Sequence, residues 1–169
     1  MEGLKQIEVY WQNASYARQH GEMAIYQRSS VANVACRNAI EEAIRQNFDG
    51  MHLDVRGAKK VLETFGAPRV LLVLANTVQQ KAWDGRFSAE NRKWAQTYGL
   101  PADEGMAGDR RVAYVVQSHP AVLDGFIQQT RRLVQERELR QSKERLQDKL
   151  HLASAPVQSK KSRAVAQER

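Results

Sequence analysis

One cysteine, Cys36, is the whole thiol complement of this 169-residue chain, so no intrachain disulfide can form. It lies among Ala32, Ala35 and Ala39, where it reads as a small apolar packing residue and not as a nucleophile. Long apolar runs are missing as well. The longest, Val70 to Ala75, has six residues, against the roughly 18 that a membrane span needs, so no membrane partner is expected. Met1 to Tyr10 carries Glu2, Lys5 and Glu8 and no apolar stretch, which argues against a secretory leader and leads us to expect a cytoplasmic protein.

Recognisable site chemistry is equally scarce. The four histidines, His20, His52, His119 and His151, lie far apart and have no His-x-x-x-His or Cys-x-x-Cys companion, so no metal site is expected. His52 between Asp49 and Asp54 offers a weak divalent-ion alternative but reads more simply as a loop residue. Neither a Gly-x-x-x-x-Gly-Lys phosphate loop nor a Gly-x-Gly-x-x-Gly turn occurs, which leaves a nucleotide cofactor without support. Ser118-His119-Pro120 looks like the start of a helix and not a nucleophile elbow. We expect no catalytic residues, no cofactor and no enzyme activity, and therefore a protein that works by binding another macromolecule.

Charge is abundant but unevenly placed. From Met1 to Ile127 there are 15 Lys and Arg against 14 Asp and Glu; from Gln128 to Arg169 there are 11 against 5. The body is balanced, and long-range attraction to a polyanion must come from the C-terminal quarter.

Helical periodicity covers most of the chain. Between about Glu22 and Asp49, Ala32, Cys36, Ala39, Ile40, Ala43, Ile44 and Phe48 recur at three- and four-residue intervals, an amphipathic helix whose small residues let a neighbour approach closely. Gly50 is its natural stop. A shorter helix is expected over Val9 to His20, ended by Gly21, and another from Asp54 as N-cap through Val61, Leu62 and Phe65 to Gly66. The run Val70 to Val78 suits a buried strand or a buried helix; Pro68 at a first helical position favours helix. Asp84-Gly85 is a turn, Ser88 caps a helix from Ala89 to Tyr98 with Trp94 and Tyr98 on one face, and Pro101 to Asp109 is a loop.

Pro120 opens the last helix, with Val122, Phe126, Leu133 and Val134 on its early face and only Leu139, Leu146 and Leu150 among charges beyond. The fold class is therefore mainly α: a single helical domain over residues 1–152 with a long C-terminal helix, followed by a basic disordered tail over 153–169. Val70–Leu74 paired with Val112–Val116 is the alternative, a minor two-stranded element.

Aromatic and basic side chains are densest from Lys81 to Trp94. Trp83, Arg86, Phe87, Arg92, Lys93 and Trp94 interleave there as at interfaces anchored by Trp and Arg. The competing reading pins Trp83, Phe87 and Trp94 onto the helical core and leaves the cations solvated. The candidate partner-binding residues are Lys81, Arg86, Arg92 and Lys93, with Arg131 and Arg132 at the start of the basic helix. That helix interleaves Glu136, Glu138, Glu144 and Asp148 with its cations, so nonspecific nucleic-acid contact is a lesser role for it.

Six words complete the reading: Tyr16-Ala-Arg-Gln-His-Gly-Glu22, Asn33-Val-Ala-Cys-Arg-Asn-Ala-Ile-Glu41, Phe65-Gly-Ala-Pro-Arg-Val70, Leu74-Ala-Asn-Thr-Val78, Trp83-Asp-Gly-Arg-Phe-Ser88 and Ser118-His-Pro120. Together they resemble a domain-of-unknown-function family carried by plasmids and conjugative elements of gut Firmicutes, over about Tyr10 to Arg132. The resemblance implies a type II-A anti-CRISPR function, in which the partner is an RNA-guided type II CRISPR nuclease with its guide RNA. Many such inhibitors imitate DNA with clustered carboxylates. This chain is basic, so DNA mimicry is not expected of it. A nucleic-acid-binding accessory protein of a mobile element is the alternative.

Overall fold

The small-residue stripe of the second helix sets the packing. In the computed structural model, which describes residues 3–100 and 111–153 in full and residues 110 and 154–168 as backbone, this helix is α2, Met23–Asn47, following α1, Ala14–Gln19. Ala32, Asn33, Cys36, Ile40, Ala43 and Ile44 are buried along it. α3, Arg56–Phe65, packs so closely that a Cβ on Gly57 would lie 3.2 Å from the carbonyl oxygen of Ala43 and 2.9 Å from Nδ2 of Asn47. A larger residue there would require the Asn47 side chain to move and the two helices to part slightly. The expected central helix, with its close neighbour, is what the chain forms.

Between α2 and α3 the Asp49 carboxylate accepts the backbone N–H of His52 at 2.7 Å and of Met51 at 2.8 Å. Those bonds hold its pKa below the usual carboxylate range and occupy the group that the divalent-ion alternative needed. Phe48 and Leu53 pair as a single antiparallel bridge across this turn. α3 starts one residue later than expected, with Val55 and not Asp54 at its N-cap; Asp54 accepts the Arg56 N–H at 2.9 Å from just ahead of the helix.

Gly66, with φ +85°, turns the chain between α3 and α4, Ala67–Gln80, and Pro68 lies in the first turn of α4. Val70 and every residue from Leu72 to Val78 are buried, so α4 is the hydrophobic axis of the domain. The segment 70–78 is helix, and the two-stranded alternative with Val112–Val116 does not form. Residues Arg110–Tyr114 make a 3₁₀ turn, and the Val116 N–H donates to Thr77 Oγ1 at 3.0 Å. Asn76 Nδ2 donates to the Arg111 carbonyl at 2.9 Å. With the backbone of 70–74 already paired within α4, side chains of α4 hold this segment in place of a strand ladder. Among the described residues there is no strand.

α1 is shorter than the expected Val9 to His20. Asn13 caps it, its Oδ1 accepting the Tyr16 N–H at 2.8 Å, because the residues before it are held elsewhere. The Tyr10 N–H donates to Ser29 Oγ at 3.0 Å, and the carbonyls of Ile7 and Glu8 accept from Arg69 Nη2 at 3.0 and 3.2 Å. Arg69 is 1% exposed. Its Nη1 donates to the carbonyl of Ser29 at 2.9 Å and to Asn33 Oδ1, so one guanidinium joins the N-terminal segment, α2 and α4. Burial lowers its pKa, and burial also pushes the neighbouring Cys36 thiol up to about 12, consistent with a packing residue and not a thiolate.

α5, Ala89–Ala95, is capped by Ser88 as expected but stops before Tyr98, where Gln79 Nε2 takes the carbonyls of Ala95 and Tyr98, both at 2.8 Å. α6, Pro120–Glu168, buries Leu123, Phe126, Ile127, Thr130 and Val134. Val122 and Leu133, expected on that face, are half-buried at its edges: the stripe is rotated toward Leu123 and Ile127. From Glu138 to Ala153 every side chain is exposed. The chain divides into two units between Arg131 and Arg132. The expected loop over 101–109 lies outside the described residues; of the expected tail over 153–169, Ala153 is exposed helix and residues 154–168 are described only as the backbone of α6. No single described helix is long and apolar enough to cross a membrane.

Candidate functional site

Asp124, on the first turns of α6, organises the aromatic and basic segment. Its Oδ1 accepts the Ser88 N–H at 2.9 Å and Asn91 Nδ2 at 2.8 Å, which locks the start of α5 against α6. Asn91 is fully buried, and its Oδ1 accepts from Arg131 Nη1 at 2.7 Å. The Arg131 guanidinium lies 5.1 Å from the centre of the Trp94 ring, over its face, and Trp94 meets Tyr98 edge-on at 5.3 Å. Arg131 is thus a structural strut of this face as much as a cation on it. Sequence reasoning missed Asp124 and Asn91; a polar residue at a core position of a short amphipathic helix was the available signal.

The turn before α5 is built the same way. Asp84, 4% exposed, accepts Arg86 N and Nε at 3.0 Å on Oδ1 and Arg86 Nη2 at 2.8 Å on Oδ2. The Arg86 guanidinium, its charge and the backbone N–H hold the Asp84 carboxyl down at about 2. Phe87 is 1% exposed and pins the turn to the core, whereas Trp83 is 79% exposed. The core reading therefore holds for Phe87, half-holds for the partly covered Trp94, and fails for Trp83, which lies on the open side of the turn.

Lys81 ends α4, and its Nζ donates to the Val116 carbonyl at 3.3 Å. Arg92 and Lys93 line a cleft of about 280 Å³ with Val78, Gln79, Ala82 and Ala89. Arg92 Nε is enclosed there with no hydrogen-bond partner among the described residues. The six candidates thus separate: Lys81, Arg86 and Arg131 are tied to internal partners, Arg92 and Lys93 stand on the cleft, and Arg132 belongs to the second unit. Glu90 comes within 3.8 Å of Arg131 and is 75% exposed.

At the other end of α6, Ser118 and His119 line a cleft of about 370 Å³ with Glu41, Ile44, Phe48 and Val122. His119 Nδ1 accepts the Ala121 N–H at 3.2 Å, and Glu41 Oε2 accepts the Gln117 N–H at 2.7 Å. The ring nitrogen caps a helix, and the carboxylate orients backbone. Among the described residues no group of three or more His, Cys, Asp or Glu side chains comes together as a metal site.

The family model described as "Protein of unknown function (DUF3849)" matches residues 9–135. The chain belongs to that family. No curated protein and no solved structure matches it. The DUF3849 match ends one residue after Val134, which is buried, and encloses the whole assembly from Lys81 to Arg131. Of the six words singled out in the sequence, at least four carry joints of the DUF3849 domain: Asn33 and Arg69 meet in one bond, Asn76 and Thr77 hold Arg111 and Val116, Asp84 and Arg86 pair, and Ser88 bonds Asp124.

Proposed function

We propose that this DUF3849 protein is a non-catalytic binding protein that presents the cleft of Arg92 and Lys93 to an anionic macromolecular partner. One observation carries the reading. The acids of the neighbourhood are already engaged: Asp84 holds Arg86, Asp124 holds Ser88 and Asn91, and Glu90 leans on Arg131. Arg92 and Lys93 thus face the cleft with no ion pair among the described residues. Uncompensated cations on a cleft suit phosphates or an acidic protein patch.

The finer proposal rests on the resemblance of the sequence words: the partner is a guide-loaded type II CRISPR nuclease, and the protein is a stoichiometric anti-CRISPR inhibitor encoded by a mobile element and acting in the cytoplasm. Its basic character directs it to guide RNA phosphates or acidic protein surface and not to the DNA-binding channel of the nuclease. A pull-down against guide-loaded nuclease, guide-free nuclease, guide RNA alone and duplex DNA tests this, paired with a cleavage titration. Retention by the guide-loaded complex with cleavage lost at one equivalent supports inhibition. Equal retention by free nucleic acid replaces it with the accessory nucleic-acid-binding role, and full inhibition at far below one equivalent means turnover.

A further inference from the structure

Beyond the family match, α6 carries a feature that this reading does not use. Leu139, Leu146 and Leu150 are 62%, 59% and 62% exposed. At about 100° per residue they fall within an arc of roughly 40° on the helix, bordered by Gln135, Ser142 and Gln147. An apolar stripe that narrow is too thin to cover a core and has the width of a two-helix seam.

We propose that the segment from Arg132 to Ala153 is a self-association helix that pairs with the same segment of a second copy of this chain, antiparallel. Charge favours a copy over a polyanion. From Arg132 to Ala153 the helix holds six cations, Arg132, Arg137, Arg140, Lys143, Arg145 and Lys149, against four acids; most of the positive excess of the C-terminal quarter lies outside this segment, which therefore neither repels itself strongly nor attracts phosphate strongly. Lys143 decides the direction. It borders the seam in the layer between Leu139 and Leu146. A parallel, in-register pair would set Lys143 against Lys143 of the second copy. An antiparallel pair centred between Glu144 and Arg145 sets Leu139 opposite Leu150 of the second copy and Lys143 opposite its Leu146. The lysine stem then crosses a leucine while the ammonium reaches water. In the same register Lys149 comes within about two residues of Glu138 of the second copy, on the same flank. A seam of four layers, about 17 Å of helix, is short for a coiled coil, so the pairing is weak and depends on concentration.

Sedimentation equilibrium of the full chain, from about 10 µM to about 500 µM, tests this. The expected result is an average mass rising toward twice the monomer. Leu146→Asp, at an exposed position, should keep the circular dichroism and melting temperature and abolish the rise; Lys143→Leu should move the midpoint to a concentration at least about tenfold lower. For direction, Lys143→Cys mixed with Leu146→Cys should give the mixed disulfide on oxidation, with the native Cys36 too buried to compete. A monomer at every concentration overturns the proposal, as does a dimer that survives Leu146→Asp. Self-crosslinking of Leu146→Cys in preference to the mixed pair overturns the antiparallel arrangement. Loss of a different partner by a monomeric Leu146→Asp protein would reassign the seam to that partner. None of these outcomes bears on the cleft of Arg92 and Lys93, which lies in the other unit.

Discussion

Arg131 donates to the buried amide oxygen of Asn91 at 2.7 Å, and that one bond divides two neighbouring arginines into different roles. Arg131→Ala removes a charged donor from a fully buried acceptor and the cation from the face of Trp94, and should cost about 1–3 kcal/mol in chemical denaturation. Arg132→Ala, at an exposed position with no such bond among the described residues, should stay within about 0.5 kcal/mol of the parent. Equal effects from the two variants would mean that Arg131 is no strut.

Two aromatic residues four apart on one turn should likewise part company. Phe87→Ala opens a cavity in the core and should cost about 3–5 kcal/mol. Trp83→Ala removes a ring that is 79% exposed, so its stability should change by no more than about 0.5 kcal/mol. If Trp83 forms part of the proposed interface, the same variant should weaken partner retention. Thermal melts and pull-downs on the same preparations separate the two effects.

A third prediction concerns Arg69. No carboxylate pairs with its guanidinium among the described residues, and Asn33 and the carbonyls of Ser29, Ile7 and Glu8 accept its protons. Asn33→Ala leaves a buried cation one acceptor short and should destabilise by about 1–3 kcal/mol. Hydrogen exchange should show the extra opening at Tyr10 and along the early turns of α2, the elements that this guanidinium joins, and not at α5.

How much of this was legible beforehand depended on whether the signal was local. α2, α4 and the Ser88 cap follow from periodicity, Pro68 and a capping hydroxyl, all of which act within a few residues. The length of α1 was not legible, because Arg69, some sixty residues downstream, takes the carbonyls of Ile7 and Glu8. Val112–Val116 has β propensity, yet Thr77 and Asn76 hold that stretch by side-chain bonds, a tertiary effect that overrides propensity. At the candidate site, counting cations located the face but could not rank them. Ranking needed Asp84, Asn91 and Asp124, whose bonds determine which charges are already answered.

The last prediction follows from Asp84. Its folded-state carboxyl is held at about 2, chiefly by the Arg86 guanidinium and the Arg86 backbone N–H, whereas in the unfolded chain it returns to an ordinary value of about 3.9. Between those values the unfolded chain binds the proton and the folded chain does not, so acidification favours unfolding. The contribution is fully present above about pH 5 and is lost as pH falls toward about 2. Asp49, Asp54 and Glu42 are also lowered, by backbone N–H groups, Arg56 and Arg45 respectively, and add to the same trend. The melting temperature should therefore fall steadily through this window. Asp84→Asn should flatten the slope, because an amide at this position has no proton to gain, and should lower stability at neutral pH by leaving Arg86 without its counterion. Arg86→Gln should flatten the slope as well, since the carboxyl then titrates nearer its unfolded value. A slope unchanged in both variants would show that the Asp84–Arg86 pair contributes nothing to the acid limb.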